Sequence, residues 1–178
     1  MKKINNNDTV IILGSARSDG NTRTVVNFLL DNVEFDLIDL NDFEIGYFDY
    51  DNKNRDDDFL PLMRKITSRY ERIIFATPVY WYSMSAIMKT FFDRISDLLI
   101  WEKDLGRTLR GKAMGVVSCS GHDDLKNGFD MPFKESADYL GMDYMGHVHA
   151  WADNEKLDLA VMDKLIGFLK KMESLEVN

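Results

Sequence analysis

Val10-Ile11-Ile12-Leu13-Gly14-Ser15-Ala16-Arg17-Ser18-Asp19-Gly20-Asn21-Thr22 is the stretch on which the reading of this sequence turns. Its first four residues are all apolar, three of them β-branched, and do not alternate with polar ones. They read as a short strand buried on both faces. Gly14 ends the run, and a polar loop leads to Thr22. Val25, Val26, Phe28, Leu29 and Leu30 then suggest a helix.

The same alternation recurs outward from there. Strands are expected at Glu34 to Leu40, Arg72 to Ala76, Lys112 to Ser118 and Tyr144 to Trp151. Between them lie helical patterns: Leu60, Leu62, Met63 and Ile66; then Met84, Ile87, Met88, Phe91, Ile95, Leu98 and Leu99; then a segment within Pro132 to Leu140. Leu157, Val161, Leu165, Phe168 and Met172 mark a closing helix. Asn41 to Asp58 is the least regular part and reads as a long loop or a solvated helix start. Its Asp56-Asp57-Asp58 run reads as a solvated helix cap, since consecutive side chains diverge too far to share an ion. Five rounds of strand and helix imply one doubly wound α/β domain over residues 1–178, a mostly parallel sheet with helices on both faces.

Composition agrees. The 178 residues are 45% hydrophobic and 29% charged with 3 Pro and 11 Gly, which suits one folded core. Against 22 Lys and Arg stand 30 Asp and Glu, a formal charge of −8. That balance disfavours nucleic acid or an anionic membrane as partner, because both attract positive fields. Cys119 is the sole cysteine, so neither an intramolecular disulfide nor a cysteine metal cluster can form, and a reducing cytoplasm is expected. No apolar run approaches the roughly 18 residues of a membrane span. The opening MKKINNNDTV lacks the apolar stretch of a signal peptide.

In this architecture ligands bind beyond the carboxyl ends of the strands. Three loops with unusual content stand there. In residues 14–22, Ser15, Asn21 and Thr22 offer hydrogen bonds, Arg17 a charged fork and the following helix its N-terminal N–H groups, a set suited to a phosphate monoester. The spacing is neither that of a nucleoside-triphosphate loop nor that of a dinucleotide fingerprint. In Thr77-Pro78-Val79-Tyr80-Trp81-Tyr82-Ser83 three aromatics follow a stiff proline; they cannot all point inward, so at least one faces a planar ligand, another chain or water. Ser118-Cys119-Ser120-Gly121-His122 supplies small polar groups and a flexible glycine. Cys119 reads as a small residue beside the site, and His122 as a substrate contact or a solvated residue. His147 and His149 alternate on a strand and so face one side, without a metal signature.

The first two loops resemble those of the flavodoxin-like NAD(P)H-dependent FMN reductase family. Gly14 to Thr22 looks like its phosphate loop. Thr77 to Ser85, continued by Ala86 to Lys89 and Phe92-Asp93-Arg94, looks like its second signature. Leu109-Arg110-Gly111-Lys112 resembles the approach to its fourth strand. The resemblance covers nearly the whole chain. It implies a five-stranded parallel sheet in the order 2-1-3-4-5 and bound FMN, with Ser15, Arg17, Asn21 and Thr22 on the phosphate. Pro78, Val79, Tyr80 and Trp81 would line the ring and ribityl chain, and Ser118, Ser120 and Gly121 would form a third flavin loop.

It further implies an oxidoreductase that takes hydride from NADH or NADPH and passes electrons to a quinone, a nitro or azo compound or free flavin. Backbone N–H groups near Tyr80 and Gly121 would stabilise charge on the ring. A flavin-binding electron carrier or redox sensor without fast nicotinamide turnover is the alternative. A homodimer is implied too, with Trp81, Tyr82, Phe91, Phe92 and Trp101 at the subunit boundary or else in the core. The iron–sulfur flavoprotein branch looks most similar, yet Asp42 to Tyr50, where that branch carries its cysteines, has none. No cluster is therefore expected.

Overall fold

A computed structural model describes residues 4–154 and 156–174 and places side chains over 8–154 and 156–172. Val10, Ile11, Ile12 and Leu13 are wholly buried, as a strand covered on both faces must be. They end β1 (Ile4–Leu13), followed by α1 (Asn21–Asn32), β2 (Val33–Asp39), α2 (Phe59–Arg69), β3 (Arg72–Pro78) and α3 (Ala86–Ile100). Then come α4 (Lys103–Arg107), β4 (Ala113–Ser120), α5 (Met131–Leu140), β5 (Asp143–Trp151) and α6 (Leu159–Ser174).

All strand pairs are parallel and the order is β2-β1-β3-β4-β5, the expected flavodoxin-like arrangement. Alternate residues feed two cores. Ile11, Leu13, Ile74 and Val117 pack beneath α1 and α6; Val10, Ile12, Phe75 and Val116 pack beneath α2, α3 and α5. Because the chain reverses direction across the sheet between β1 and β3, the loops after these strands part and leave a crevice.

Beyond shifts of one or two residues at the ends of β2 to β5, two element starts and one whole element differ from the sequence reading. β1 begins at Ile4, well before the apolar run, because backbone pairing of Ile4 with Val33 and Asn5 with Glu34 needs no apolar side chain. α3 begins at Ala86 and not Met84, because Ser85 is extended and its Oγ accepts the Met88 N–H at 3.2 Å. α4 was not foreseen; it is too short to show a period, and Leu105 is its one buried apolar side chain. Among the described residues no helix is long and apolar enough to cross a membrane.

The start of α3 lies directly on the end of β1. The Ser85 hydroxyl donates to Gly14 O at 2.6 Å, and a Cβ added to Gly14 would stand 3.2 Å from Met88 Cα and 3.0 Å from its Cβ. Such a contact with backbone cannot be relieved by a rotamer. Gly14→Ala should therefore lower stability by about 1–3 kcal/mol in urea denaturation, the usual cost of overpacking.

The irregular segment after β2 holds a single 3-10 turn (Leu40–Asp42) and is otherwise clamped from α3. Arg94, 1% exposed, donates to Asp97 Oδ2 at 2.8 Å, Gly46 O at 3.0 Å, Asn54 O at 3.1 Å and both oxygens of Asp57. Asp57 also accepts the N–H groups of Gly46 (2.9 Å) and Phe59 (3.0 Å). Asp57 is thus not a solvated cap: Arg94 and two N–H groups replace its water. Burial alone would push its carboxyl up, but those hydrogen bonds and the Arg94 charge together hold it below its ordinary value.

Candidate functional site

Local chemistry places each of the three loops. After Gly14 the first loop is pinned by Asn41, whose Nδ2 donates to Ser15 O at 2.8 Å and to Ser18 Oγ at 3.2 Å. Asp39, at the end of β2, orients Asn41 by accepting from its N and Nδ2, both at 3.0 Å. Neither residue was singled out from sequence. The signal for them was a polar pair at the carboxyl end of a strand beside the first loop. Ser15 is buried and its Oγ faces the Arg17 N–H at 3.4 Å. Asn21 Nδ2 donates to Ala152 O at 2.8 Å and so ties α1 to the end of β5. The α1 N-terminus carries no side-chain cap. Arg17 is exposed and pairs with no carboxylate among the described residues.

The second loop leaves β3 at Pro78, and Val79 N–H donates to Cys119 O at 2.8 Å. Tyr80 and Ser83 exchange backbone hydrogen bonds at 2.9 and 3.0 Å, closing a tight turn around Trp81 (φ +48°) and Tyr82 (φ +65°). Such a turn normally takes Asn-Gly. Two bulky residues in left-handed backbone cost about 1–3 kcal/mol each. All three aromatics face outward, Trp81 at 93% exposure. The N–H groups expected near Tyr80 need one correction: those of Val79 and Tyr80 are spent inside the protein. Those of Trp81 and Gly121 make no hydrogen bond to the described residues.

These loops enclose a cleft of about 190 Å³ lined by Ser15, Arg17, Gly20, Asn21, Thr22, Pro78, Val79, Tyr80, Cys119, Ser120 and Gly121. A second hollow of about 270 Å³ adjoins it through the shared residues Val79, Ser120 and Gly121 and adds Trp81, Tyr82, His122 and Lys126. Ten of the eleven residues singled out from sequence therefore border one or other of these two adjoining hollows. Ser118 does not. It faces the α5 side of the sheet, where its Oγ lies 2.7 Å from His147 Nε2 and 2.8 Å from His149 Nδ1. Cys119 is buried beside the cleft, and burial pushes its thiol up to about 11, so it stays a neutral thiol at neutral pH.

His147 stacks on Phe129 with ring centres 5.4 Å apart, and burial holds its imidazole down at about 4, the Asp130 charge opposing and His149 adding to the shift. The unfolded chain then binds the extra proton between pH 6.5 and 4. The His147 contribution is present in full above about pH 6.5 and is lost as the pH falls toward 4, by up to roughly 3 kcal/mol. Denaturation midpoints at pH 7 and 4.5 should converge in His147→Phe relative to wild type.

The chemistry of this lining suits a flavin mononucleotide. An uncapped helix N-terminus and an unpaired arginine suit a phosphate dianion in a protein of net charge −8. The exposed rings and the two N–H groups suit a flat polar heterocycle. The family model described as NADPH-dependent FMN reductase matches residues 8–156. From Bacillus subtilis (strain 168), the "Putative NAD(P)H-dependent FMN-containing oxidoreductase YwqN" is 28% identical over 148 residues, 78% of this chain and 81% of that protein. The structure of the Trp repressor binding protein from Bacillus subtilis superposes with a TM-score of 0.73 at 22% identity, covering 94% of this chain and 99% of the other. An FMN-dependent NADH-azoreductase from Bacillus anthracis, solved with FMN, gives 0.63 at 14% identity over 94% and 97%. A match of the family model across most of the chain, on a sheet with the same order and a cleft of this chemistry, makes this protein a member of the NADPH-dependent FMN reductase family.

Proposed function

We propose that this protein is an FMN-dependent oxidoreductase that draws electrons from NADH or NADPH and passes them to a small flat acceptor, a quinone, an azo compound or free flavin. The observation that carries this reading is a cleft that runs from an anion cradle at α1 to Tyr80, with a second hollow under Trp81 and Tyr82 adjoining it. FMN would supply reversible acceptance and release of two electrons, and the chain holds it in place. Ser15, Arg17, Thr22 and the backbone at Asn21 hold the phosphate. Pro78, Val79, Tyr80 and Trp81 line the ring and ribityl chain with Ser120 and Gly121, and the N–H groups of Trp81 and Gly121 favour an electron-rich ring. Trp81 and Tyr82 present open faces on which a flat acceptor stacks.

The whole chain is proposed to act as one cytoplasmic domain and to pair as a homodimer. Of the aromatics weighed for a boundary, Phe91 is core and Phe92 packs edge-on to Phe75 and Phe133, while Trp81, Tyr82 and Trp101 reach the surface. Exposed Leu99 and Tyr139, beside a hollow of about 410 Å³ between α3 and α5 that Ser96, Glu135 and Ser136 also line, are the apolar surface proposed to meet a second copy there.

The test is the visible spectrum of the purified protein after FMN is added and the excess removed. Retained flavin bands that bleach anaerobically with NADH or NADPH support the reductase. Bands that do not bleach point to an electron carrier, and absence of flavin from folded protein removes the reading.

A further inference from the structure

The hydrogen-bonded row behind the third loop has a direction that donor and acceptor accounting fixes. Ser120 Oγ donates to His122 O at 2.6 Å, so at its contact with His149 Nε2, 3.2 Å away, it accepts. His149 therefore carries its proton on Nε2, a placement that also suits His122 O at 3.4 Å. In neutral His149 the other nitrogen, Nδ1, then accepts, and its partner at 2.8 Å is Ser118. With its own proton committed to His149, Ser118 accepts from His147 Nε2 at 2.7 Å. The row reads His147 Nε2–H to Ser118, Ser118 O–H to His149, His149 Nε2–H to Ser120, Ser120 O–H to the His122 carbonyl. Every donor points toward the cleft that Ser120 borders, and Ser118 is wholly buried.

Resting on the reductase reading, we propose that Ser120-His149-Ser118-His147 is a proton relay that delivers one proton to the acceptor at the cleft rim in each turnover. The balance calls for one proton beyond the hydride. Reduced nicotinamide gives up two electrons and one proton as hydride, whereas a quinone becomes a hydroquinone by gaining two electrons and two protons. The second proton comes from water. It binds His147 at Nδ1; the Nε2 proton of His147 passes to Ser118, the Ser118 proton to His149 Nδ1, and the His149 Nε2 proton to Ser120. Ser120 turns its own proton from the His122 carbonyl to the acceptor. One proton enters, one leaves, and both rings end neutral. After the product departs, each imidazole exchanges its Nδ1 proton for one on Nε2 and the Ser120 hydroxyl turns back to the His122 carbonyl, which restores the row with no further net proton moved.

The charged and titratable groups acting on the row come from each neighbouring element: Asp130 at the start of α5, Asp123 and Asp124 in the loop after β4, and Lys164 on α6. Tyr144 of β5 donates to Asp130 at 3.2 Å. Burial keeps both imidazoles below the ordinary value, so near pH 7 each is neutral and able to pass a proton on. Only Ser120 touches the acceptor; the other three act through it.

The test has two readouts. Long-range 1H–15N spectra of the imidazoles at pH 7 should find both His147 and His149 neutral and protonated on Nε2; an Nδ1 proton on either overturns the order of the row. Separately, holoprotein reduced with dithionite is mixed with p-benzoquinone in H2O and in D2O. Wild type should reoxidise more slowly in D2O. His147→Gln, whose amide still donates to Ser118 but cannot pass a proton on, should reoxidise about a hundredfold more slowly, the usual scale of acid–base assistance. Ser118→Ala should behave likewise, with circular dichroism confirming the fold of both. Reoxidation at the wild-type rate in both variants overturns the relay. Because dithionite replaces the nicotinamide, a protein whose flavin NADH and NADPH fail to bleach would lose the reductase reading while the relay is still decided by these rates.

Discussion

Arg94→Met is expected to remove about 3–5 kcal/mol of folding stability, the cost of leaving buried carboxylates without their cation. Arg94 is the largest side chain among those fully buried, and it reaches two carboxylates, two backbone carbonyls and the Phe59 ring, 4.8 Å from the guanidinium. Methionine fills part of the volume but satisfies none of the acceptors. Asp97, whose carboxyl burial already pushes up against the opposing pull of Arg94, would then take up a proton more readily still. Urea denaturation at pH 7 should give the loss, and it should shrink near pH 4 as both carboxylates protonate. Amide exchange should quicken first between residues 46 and 57, because Arg94 holds that stretch to α3. A loss below 1 kcal/mol would mean that the clamp is dispensable.

Arg17→Ala combined with Thr22→Val should weaken FMN binding by about 10²–10⁴-fold. Each substitution deletes a hydrogen bond to a charged phosphate, about 1.5–3 kcal/mol apiece. Thr22 is buried at the foot of the cleft in contact with Cys119, and valine keeps its volume, so the fold should be preserved. Arg17 is exposed and its guanidinium leans over Gly20, so alanine removes charge without opening a core. Fluorescence titration of FMN into each variant gives the affinity, and raising the salt should narrow the difference from wild type as the Arg17 charge is screened. An unchanged affinity would move the phosphate away from this loop.

How far the sequence carried this picture depends on whether a residue acts through its neighbours in the chain or across the sheet. Non-alternating Val10 to Leu13 announced a central parallel strand, and glycine after it announced the loop, because both are local properties. The three loops could be placed at one sheet end by topology alone. Ser118 shows the limit. Its neighbours in sequence belong to the cleft, but its side chain points to the opposite face, and the two histidines it meets lie on another strand. Arg94 was equally opaque, since apart from Asp97 its hydrogen-bond partners sit some 40 residues away in a segment with no periodic signal. Asp39 and Asn41 bind the first loop from the end of β2, a relation only tertiary structure reveals.

One extra residue in β5 governs that side of the molecule. Met114 pairs with Tyr144 but Gly115 pairs with Gly146, so Met145 is supernumerary and Gly146 takes a φ of +108° that favours glycine. In a strictly alternating strand with Tyr144 in place, His147 and His149 would face α6. The bulge turns them toward Ser118 instead. In genetic terms, loss of a single codon here would act as a rotary switch, exchanging the two faces of the strand end while leaving every residue downstream intact. β5 has one strand neighbour, so such an indel disturbs a single ladder. A lineage can thus gain or discard the histidine row in one step, without altering the cradle at the other side of the cleft.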